Sequence, residues 1–353
     1  MYIFMYYKCV FSIITDVLNS GIWADLKTIK HPRLKGLAEQ LPAMALSSRQ
    51  DKTVRNYLNA FENWKKWCSK YDEIEHFPAK SHFVALYLLE ISEKSVTCAP
   101  VNLAYYAISW AHRSAGLNDP TKGDLPKMVR ESAARKLGQG NNKKEPVSAS
   151  VIARIVKEFA NLDADLMSLR VAAICIVGFS AFLRYDELSK IKYCDVLFGK
   201  KYMKIFIEQS KTDVYRQGEW VYVAKLQSPN CPVKIMKRYL KSAKFDKYTE
   251  EFIFRGITRN KNKFKRSLKK SNKPISYTTV RSLVLNAFKS VGADSLQLGT
   301  HSLRKGGATA AAKHAIEDRL FKKHGRWRSE RSKDKYVTED LKQKLIVSNN
   351  LGL

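Results

Sequence analysis

The chain has 353 residues, of which 45% are hydrophobic and 11% aromatic, with 16 Gly and 10 Pro; that is enough apolar material for about two packed domains, and it excludes collagen-like, mucin-like and wholly disordered chains. Against 33 acidic residues stand 63 Lys and Arg, a formal net charge of +30, which calls for a polyanion; nucleic acid leads an acidic membrane surface, because every neutralised phosphate releases a counterion. Cysteines at positions 9, 68, 98, 175, 194 and 231 form no CxxC pair and have no His at ligand spacing, so neither a zinc site nor a disulfide framework is expected, and a reducing, intracellular compartment fits: the nucleus in a eukaryote, otherwise the cytoplasm.

Residues 1–47 read as an N-terminal extension. Its opening stretch MYIFMYYKCVFSIITDVL is apolar, but Lys8 interrupts it and Asp16 closes it; it is too short to span a bilayer, and a secretory leader is the minor alternative. No other run approaches the ~20 apolar residues of a membrane helix. Over 48–71, Val54, Tyr57, Leu58, Phe61, Trp64 and Cys68 recur at intervals of three and four, which predicts one buried face of an amphipathic helix. Further helices are expected over about 80–94, 100–115 and 125–137, giving a helical domain over 48–137. Residues 138–146, GQGNNKKEP, combine glycines, amides, lysines and a proline and read as a linker.

A second domain is expected over 147–345, with a tail over 346–353. Ser148 or Ser150 caps a helix to about Phe159, and Asp163 or Asp165 opens a longer apolar helix through Ala181. A short helix begins near Arg184. Residues 203–208 and 219–224 are rich in β-branched and aromatic residues with polar QSKTDVYRQG between them, a hairpin with a long tip. Pro232 starts a helix to about Ala243, and FIFRG at 252–256 reads as a short strand or buried turn. The run RNKNKFKRSLKKSNK, 259–273, carries eight basic residues and no acid. Lys261, Lys263, Lys265, Arg266, Lys269 and Lys270 are therefore candidate phosphate contacts, with a plain solvated loop as the alternative. Ser276 caps a helix whose Val280, Leu283, Val284, Ala287, Phe288 and Val291 share one face. Two more helices are expected over 301–314 and 315–323.

Four separated pieces bear on one chemistry: Arg184 in FLRYDEL, Lys211 in QSKTD, His301 and Arg304 in THSLRKGG, and Trp327 with Tyr336 in GRWRSERSKDKYV. His301 and Arg304 stand three apart at a helix start, where an imidazole and a guanidinium can converge on one anion. Two arginines can grip the nonbridging oxygens of a phosphodiester by forked hydrogen bonds and stabilise the charge that grows at phosphorus. A tyrosine hydroxyl is a weak nucleophile at its ordinary pKa of ~10, so attack needs a base and an aligned phosphate. Tyr336 and His301 can fill those roles, and Lys211 can protonate the departing oxygen. Three bland alternatives stay open. Lys211 shares its hairpin with Lys200, Lys201 and Lys204, Trp327 is a candidate core anchor, and Glu187 a candidate surface ion pair.

In that order these segments resemble the tyrosine recombinase (phage integrase) family, whose signature is arginine, lysine, His-x-x-Arg, His or Trp, and tyrosine. Arg184 fills the first slot with Glu187 as the accessory acid, then Lys211, His301 with Arg304, and Trp327 nine positions before the nucleophile slot, Tyr336. Tryptophan stands where most bacterial members have histidine, leaving His324 nearby as a decoy. FSAFLRYDEL, HSLRKGGATAAA and GRW look most like the eukaryotic mobile-element branch. The resemblance implies a mainly α fold with a small antiparallel β-sheet (α+β). A helical, SAM-like core-binding domain and a catalytic domain would clamp duplex DNA, and protomers would assemble on it as a homo-oligomer, with no membrane partner. It implies DNA cleavage and rejoining through a 3′-phosphotyrosyl bond, with no metal, ATP or other cofactor. The alternative is a catalytically silent, domesticated DNA-binding protein derived from a mobile element.

Overall fold

A computed structural model describes residues 17–138, 144–210, 213, 217–245, 249–259, 266–314, 316–339, 344–345 and 348–350. The chain divides into two compact units, 1–142 and 143–353. Among the described residues five cysteines are unpaired, and no helix is long and apolar enough to cross a membrane.

The first unit is helical: α1 Ile22–Leu26, α2 Pro32–Ser47, α3 Asp51–Cys68, α4 Ser81–Lys94, α5 Ala99–Ser114 and α6 Asp124–Lys136. The three-and-four spacing of α3 buries Val54, Leu58, Phe61, Trp64 and Cys68 against α5, whose Val101, Ala104, Ile108 and Ala111 face it. Ahead of residue 48 the sequence reads as an extension, yet among the described residues α1 and α2 lie there. Val17 is buried and the Trp23 Nε1 donates to Ser114 O at 2.7 Å, so this segment joins the core of the unit. His112, in the last turn of α5, is fully buried; its Nε2 accepts from Ala79 N (2.8 Å), which leaves Nδ1 to donate to Ile108 O (2.8 Å).

The second unit is built around α8 (Leu166–Ser180). This helix is apolar on all sides because α7 (Ala149–Phe159), α10 (Pro232–Ala243), α11 (Tyr277–Ser290) and α12 (Thr300–Ala312) surround it; a helix without a polar face must be covered all round. Ser148, Asp165 and Ser276 accept backbone N–H bonds from Val151, Ser168 and Thr279 and so cap α7, α8 and α11. Between α8 and α10 lie α9 (Tyr185–Ser189) and an antiparallel sheet in the order β1 (Val196–Phe198), β2 (Tyr202–Ile207), β3 (Glu219–Ala224). Strict alternation puts Met203, Ile205, Ile207, Val221 and Val223 on the core. Tyr202, Lys204, Phe206, Trp220 and Tyr222 occupy the other face.

FIFRG is not a strand of its own: Ile253 and Phe254 are fully buried, and the segment makes isolated bridges through Phe252 and Arg255. Of the basic run expected as a loop, Arg259 belongs to β4 (Ile257–Arg259), which pairs antiparallel with β5 (Arg266–Leu268); Lys261, Lys263 and Lys265 lie outside the described residues. The last helices are α13 (Asp318–Gly325) and α14 (Glu330–Asp334). Gly306 and Gly307 let α12 approach closely, because a Cβ would lie 2.1 Å from Val147 O at the first and 2.1 Å from Phe179 O at the second.

Candidate active site

Two helix ends shape the site. At the end of α8, Leu183 N bonds Gly178 O (3.1 Å) while Phe182 takes φ +49°; at the end of α13, Trp327 N bonds Lys322 O (3.1 Å) while Arg326 takes φ +56°. Both are Schellman turns closed by a left-handed residue, the place usually held by glycine. The first turn delivers Arg184 as the residue that opens α9, and the second delivers Arg326 and Trp327. Arg304, on α12, joins them: its guanidinium donates to Phe182 O from Nη1 and to Gly325 O (2.6 Å) from Nη2.

Around Glu187, which is 3% exposed, three guanidinium groups meet. Oε1 accepts from Arg184 Nη1 (2.7 Å); Oε2 accepts from Arg326 Nη2 (2.9 Å) and from the Arg184 backbone N–H (3.0 Å), with Arg304 Nη1 at 3.5 Å. Burial raises the pKa of this carboxyl, but Arg326, Arg304 and Arg184 outweigh it and hold the group below the usual carboxylate range. Burial is also the main influence on Arg304, which is 0% exposed, lowering it to about 9 against the support of Glu187; it stays protonated at neutral pH. Burial opposes the charge on Arg184 too, yet Glu187 and the Tyr336 phenol hold its pKa above the ordinary value.

The Arg304 guanidinium carbon lies 4.8 Å from the Tyr336 ring centre and 5.1 Å from that of Trp327, and the two rings are 5.5 Å apart. Trp327 is 5% exposed, packs with Phe182 and Phe321, and has an Nε1 without a hydrogen-bond partner among the described residues. Tyr336 is half-buried; its carbonyl accepts from Thr309 Oγ1 (3.3 Å), which ties the segment after α14 to α12.

Arg184, Glu187, Arg304, Trp327 and Tyr336 are thus brought together. His301 is exposed in the first turn of α12, one turn before the buried Arg304. Lys211 lies outside the described residues. Its neighbours Ser210 and Asp213, with Gln217 and Gly218, line a cavity of about 180 Å³ together with Arg326 and Trp327. His324 is engaged elsewhere: its Nε2 meets Ser180 O at 2.9 Å, and burial holds its pKa below the usual histidine value. Arg266 pairs with Asp165 (2.6 Å) beside the start of α8, while Lys269 and Lys270 are exposed. Sequence reasoning missed Arg326. The available signal was an arginine directly before Trp327, hidden by the many basic residues around it. No group of three or more His, Cys, Asp or Glu suited to a metal occurs among the described residues.

A model of the phage integrase family matches residues 146–343. An integrase/recombinase XerD homolog of Selenomonas ruminantium is 27% identical over 296 residues, 83% of this chain and 83% of that one. Among solved structures, the XerH site-specific recombinase bound to palindromic difH substrate in a post-cleavage complex superimposes with a TM-score of 0.55 at 14% identity, over 85% of this chain and 79% of that one. The Tn1549 transposon integrase in complex with transposon right end DNA gives 0.55 at 11% identity, over 97% and 99%. These two likenesses establish the fold, mainly helical with a small antiparallel sheet.

Proposed function

The chain belongs to the phage integrase family and is a DNA recombinase/integrase of the tyrosine type, and from that premise we propose how its residues divide the reaction. Arg184 and Arg304 grip the scissile phosphate. Tyr336 Oη attacks phosphorus while His301 accepts the phenolic proton; the bond to the 5′ oxygen breaks, and Lys211 protonates that oxygen. A 3′-phosphotyrosyl bond and a free 5′ hydroxyl result. Attack by a 5′ hydroxyl of the partner duplex reverses the step with acid and base exchanged, so bond energy is conserved and neither ATP nor a metal is invoked. Trp327 donates its indole N–H to the phosphate, and Glu187 holds the arginines in place.

The observation that carries this reading is the convergence of Arg184 and Arg304 on one buried carboxylate, with the Tyr336 ring 4.8 Å from Arg304. Residues 48–137 serve as a DNA-binding domain, Lys261, Lys263, Lys265, Arg266, Lys269 and Lys270 contact backbone phosphate, and protomers assemble on duplex DNA. Placement in the eukaryotic mobile-element branch, and with it the nucleus, rests on FSAFLRYDEL, HSLRKGGATAAA and GRW alone. One observation favours the second reading, a silent DNA-binding protein: Arg304 is fully enclosed and already bonded to two backbone carbonyls.

Duplexes selected for binding from a random library, then nicked at successive positions as suicide substrates, separate the two. The expected result is a covalent protein–DNA species that forms in EDTA and is absent in Tyr336→Phe. Tight binding with no adduct at any nick position overturns the catalytic reading.

A further inference from the structure

We infer that Arg326 is a positioning residue of this site: by occupying Oε2 of Glu187 it keeps the Arg304 guanidinium from closing onto that carboxylate, and so holds Arg304 in its place beside the Trp327 and Tyr336 rings. The inference rests on the recombinase reading and deepens it.

The geometry is a competition for one oxygen. Oε1 of Glu187 is taken by Arg184 Nη1, and Oε2 by the Arg184 backbone N–H and Arg326 Nη2, at 2.7, 3.0 and 2.9 Å. Arg304 Nη1 is held off at 3.5 Å and donates to Phe182 O instead. Without Arg326, Arg304 Nη1 already stands 3.5 Å from Oε2, and a short charge-assisted bond there would draw it away from the Tyr336 and Trp327 rings. Arg326 is itself fixed by a planar fork: Nη1 donates to His324 O (3.0 Å) and Ala181 O (3.3 Å), and Nη2 to Phe182 O (3.0 Å) as well as to Glu187. Lysine, a point charge on a flexible stem, does not reproduce that fork. The backbone adds a second argument. At φ +56° a non-glycine residue is disfavoured, so the arginine occupies this turn against the local preference, and its side chain must offset the cost.

The same φ makes Arg326→Gly a clean variant, since it removes the guanidinium and relaxes the backbone. Wild type, Arg326→Gly, Arg326→Lys, Glu187→Gln and the Glu187→Gln/Arg326→Gly double variant are compared for duplex affinity and single-turnover adduct formation on the nicked substrate. Arg326→Gly is expected to bind DNA within about threefold of wild type and to form adduct on the order of a hundredfold more slowly. In the Glu187→Gln background the same change costs less than about threefold, because the competition is gone.

A pH profile provides the second readout. Glu187 faces Arg184 from the start of α9, Arg304 from α12 and Arg326 from the turn after α13; Tyr336 and His324 adjoin those arginines, and Lys190 and Glu208 line a small cavity beside it. Removal of Arg326 therefore raises the Glu187 carboxyl toward the ordinary range, so the deficit of Arg326→Gly relative to wild type should widen as pH falls, and that of Arg326→Lys should widen less. If Glu187→Gln is itself inert, this widening decides. A wild-type chain that cleaves alongside an Arg326→Gly variant with unchanged rate and pH profile overturns this inference alone, as does a hundredfold loss that persists in the Glu187→Gln background. A wild-type chain that makes no adduct overturns the recombinase reading and this inference with it.

Discussion

Trp327 carries two roles that one atom separates. Its ring packs between Phe182, Phe321 and Tyr336, at centroid distances of 6.0, 5.2 and 5.5 Å, while its buried Nε1 has no partner among the described residues. An unpaired buried donor costs about 1–3 kcal/mol, and nothing in the packing requires a nitrogen. If the N–H is kept for a phosphate oxygen, Trp327→Phe should leave stability within about 1 kcal/mol while slowing cleavage by about tenfold or more. Trp327→Ala should instead cost about 3–5 kcal/mol of folding stability through the cavity it leaves. Thermal melts and single-turnover rates on the same preparations check both outcomes, and an unslowed Trp327→Phe variant would return Trp327 to a packing role. Position along the chain singled out Arg184, His301, Arg304, Trp327 and Tyr336, because residue type and order are visible in a sequence. Depth is not: spacing puts His301 and Arg304 one turn apart, and the structure leaves one exposed and the other fully buried.

Among the elements, those with a repeating pattern were legible and most of those without one, the 16-residue α2 included, were not. The faces of α3 and α11 and the alternation of β2 and β3 repeat often enough to be read from residue type, whereas β1, β4 and β5 are three residues each, too short for a period to show. The two Schellman turns were hidden for another reason. Phe182 and Arg326 stand where glycine would have marked a helix end, and what holds them there are bonds to residues far away in sequence. His112 shows the same dependence in the first unit, where it ties the loop before α4 to α5 as a neutral ring. Burial lowers its pKa below the ordinary ~6.5. The unfolded chain therefore binds a proton at higher pH than the folded one, and the stability this ring contributes is complete above the unfolded pKa and is lost as pH falls below it. Protection factors of α5 amides, with the base-catalysed intrinsic exchange rate divided out, should fall progressively below about pH 6.5, by at most tenfold per pH unit for one such group. His112→Gln, which keeps an acceptor and a donor, should flatten that dependence. A pH-independent protection factor in the wild-type chain would show that the ring is protonated at no cost.

For the whole molecule the dominant quantity is charge. A net +30 over 353 residues favours any polyanion, and it cannot by itself say where the phosphates lie. The structure narrows the choice, because part of the basic run is already committed. Arg266 is paired with Asp165, whereas Lys269 and Lys270, just past β5, are exposed. If these two lysines meet backbone phosphate, each releases about one counterion, so Lys269→Ala/Lys270→Ala should reduce the slope of log affinity against log salt by about 1.8 and weaken specific and nonspecific duplexes alike. Their distance in sequence from the catalytic signature makes a second expectation: at saturating DNA the single-turnover cleavage rate should stay within about twofold of wild type. Titrations at several salt concentrations, with cleavage followed on the same duplex, measure both. An unchanged slope would mean that this surface faces solvent in the complex and that the electrostatic contacts come from elsewhere on the chain. A lowered rate at saturation would mean that the hairpin sets the phosphate's position at the arginines as well as its affinity.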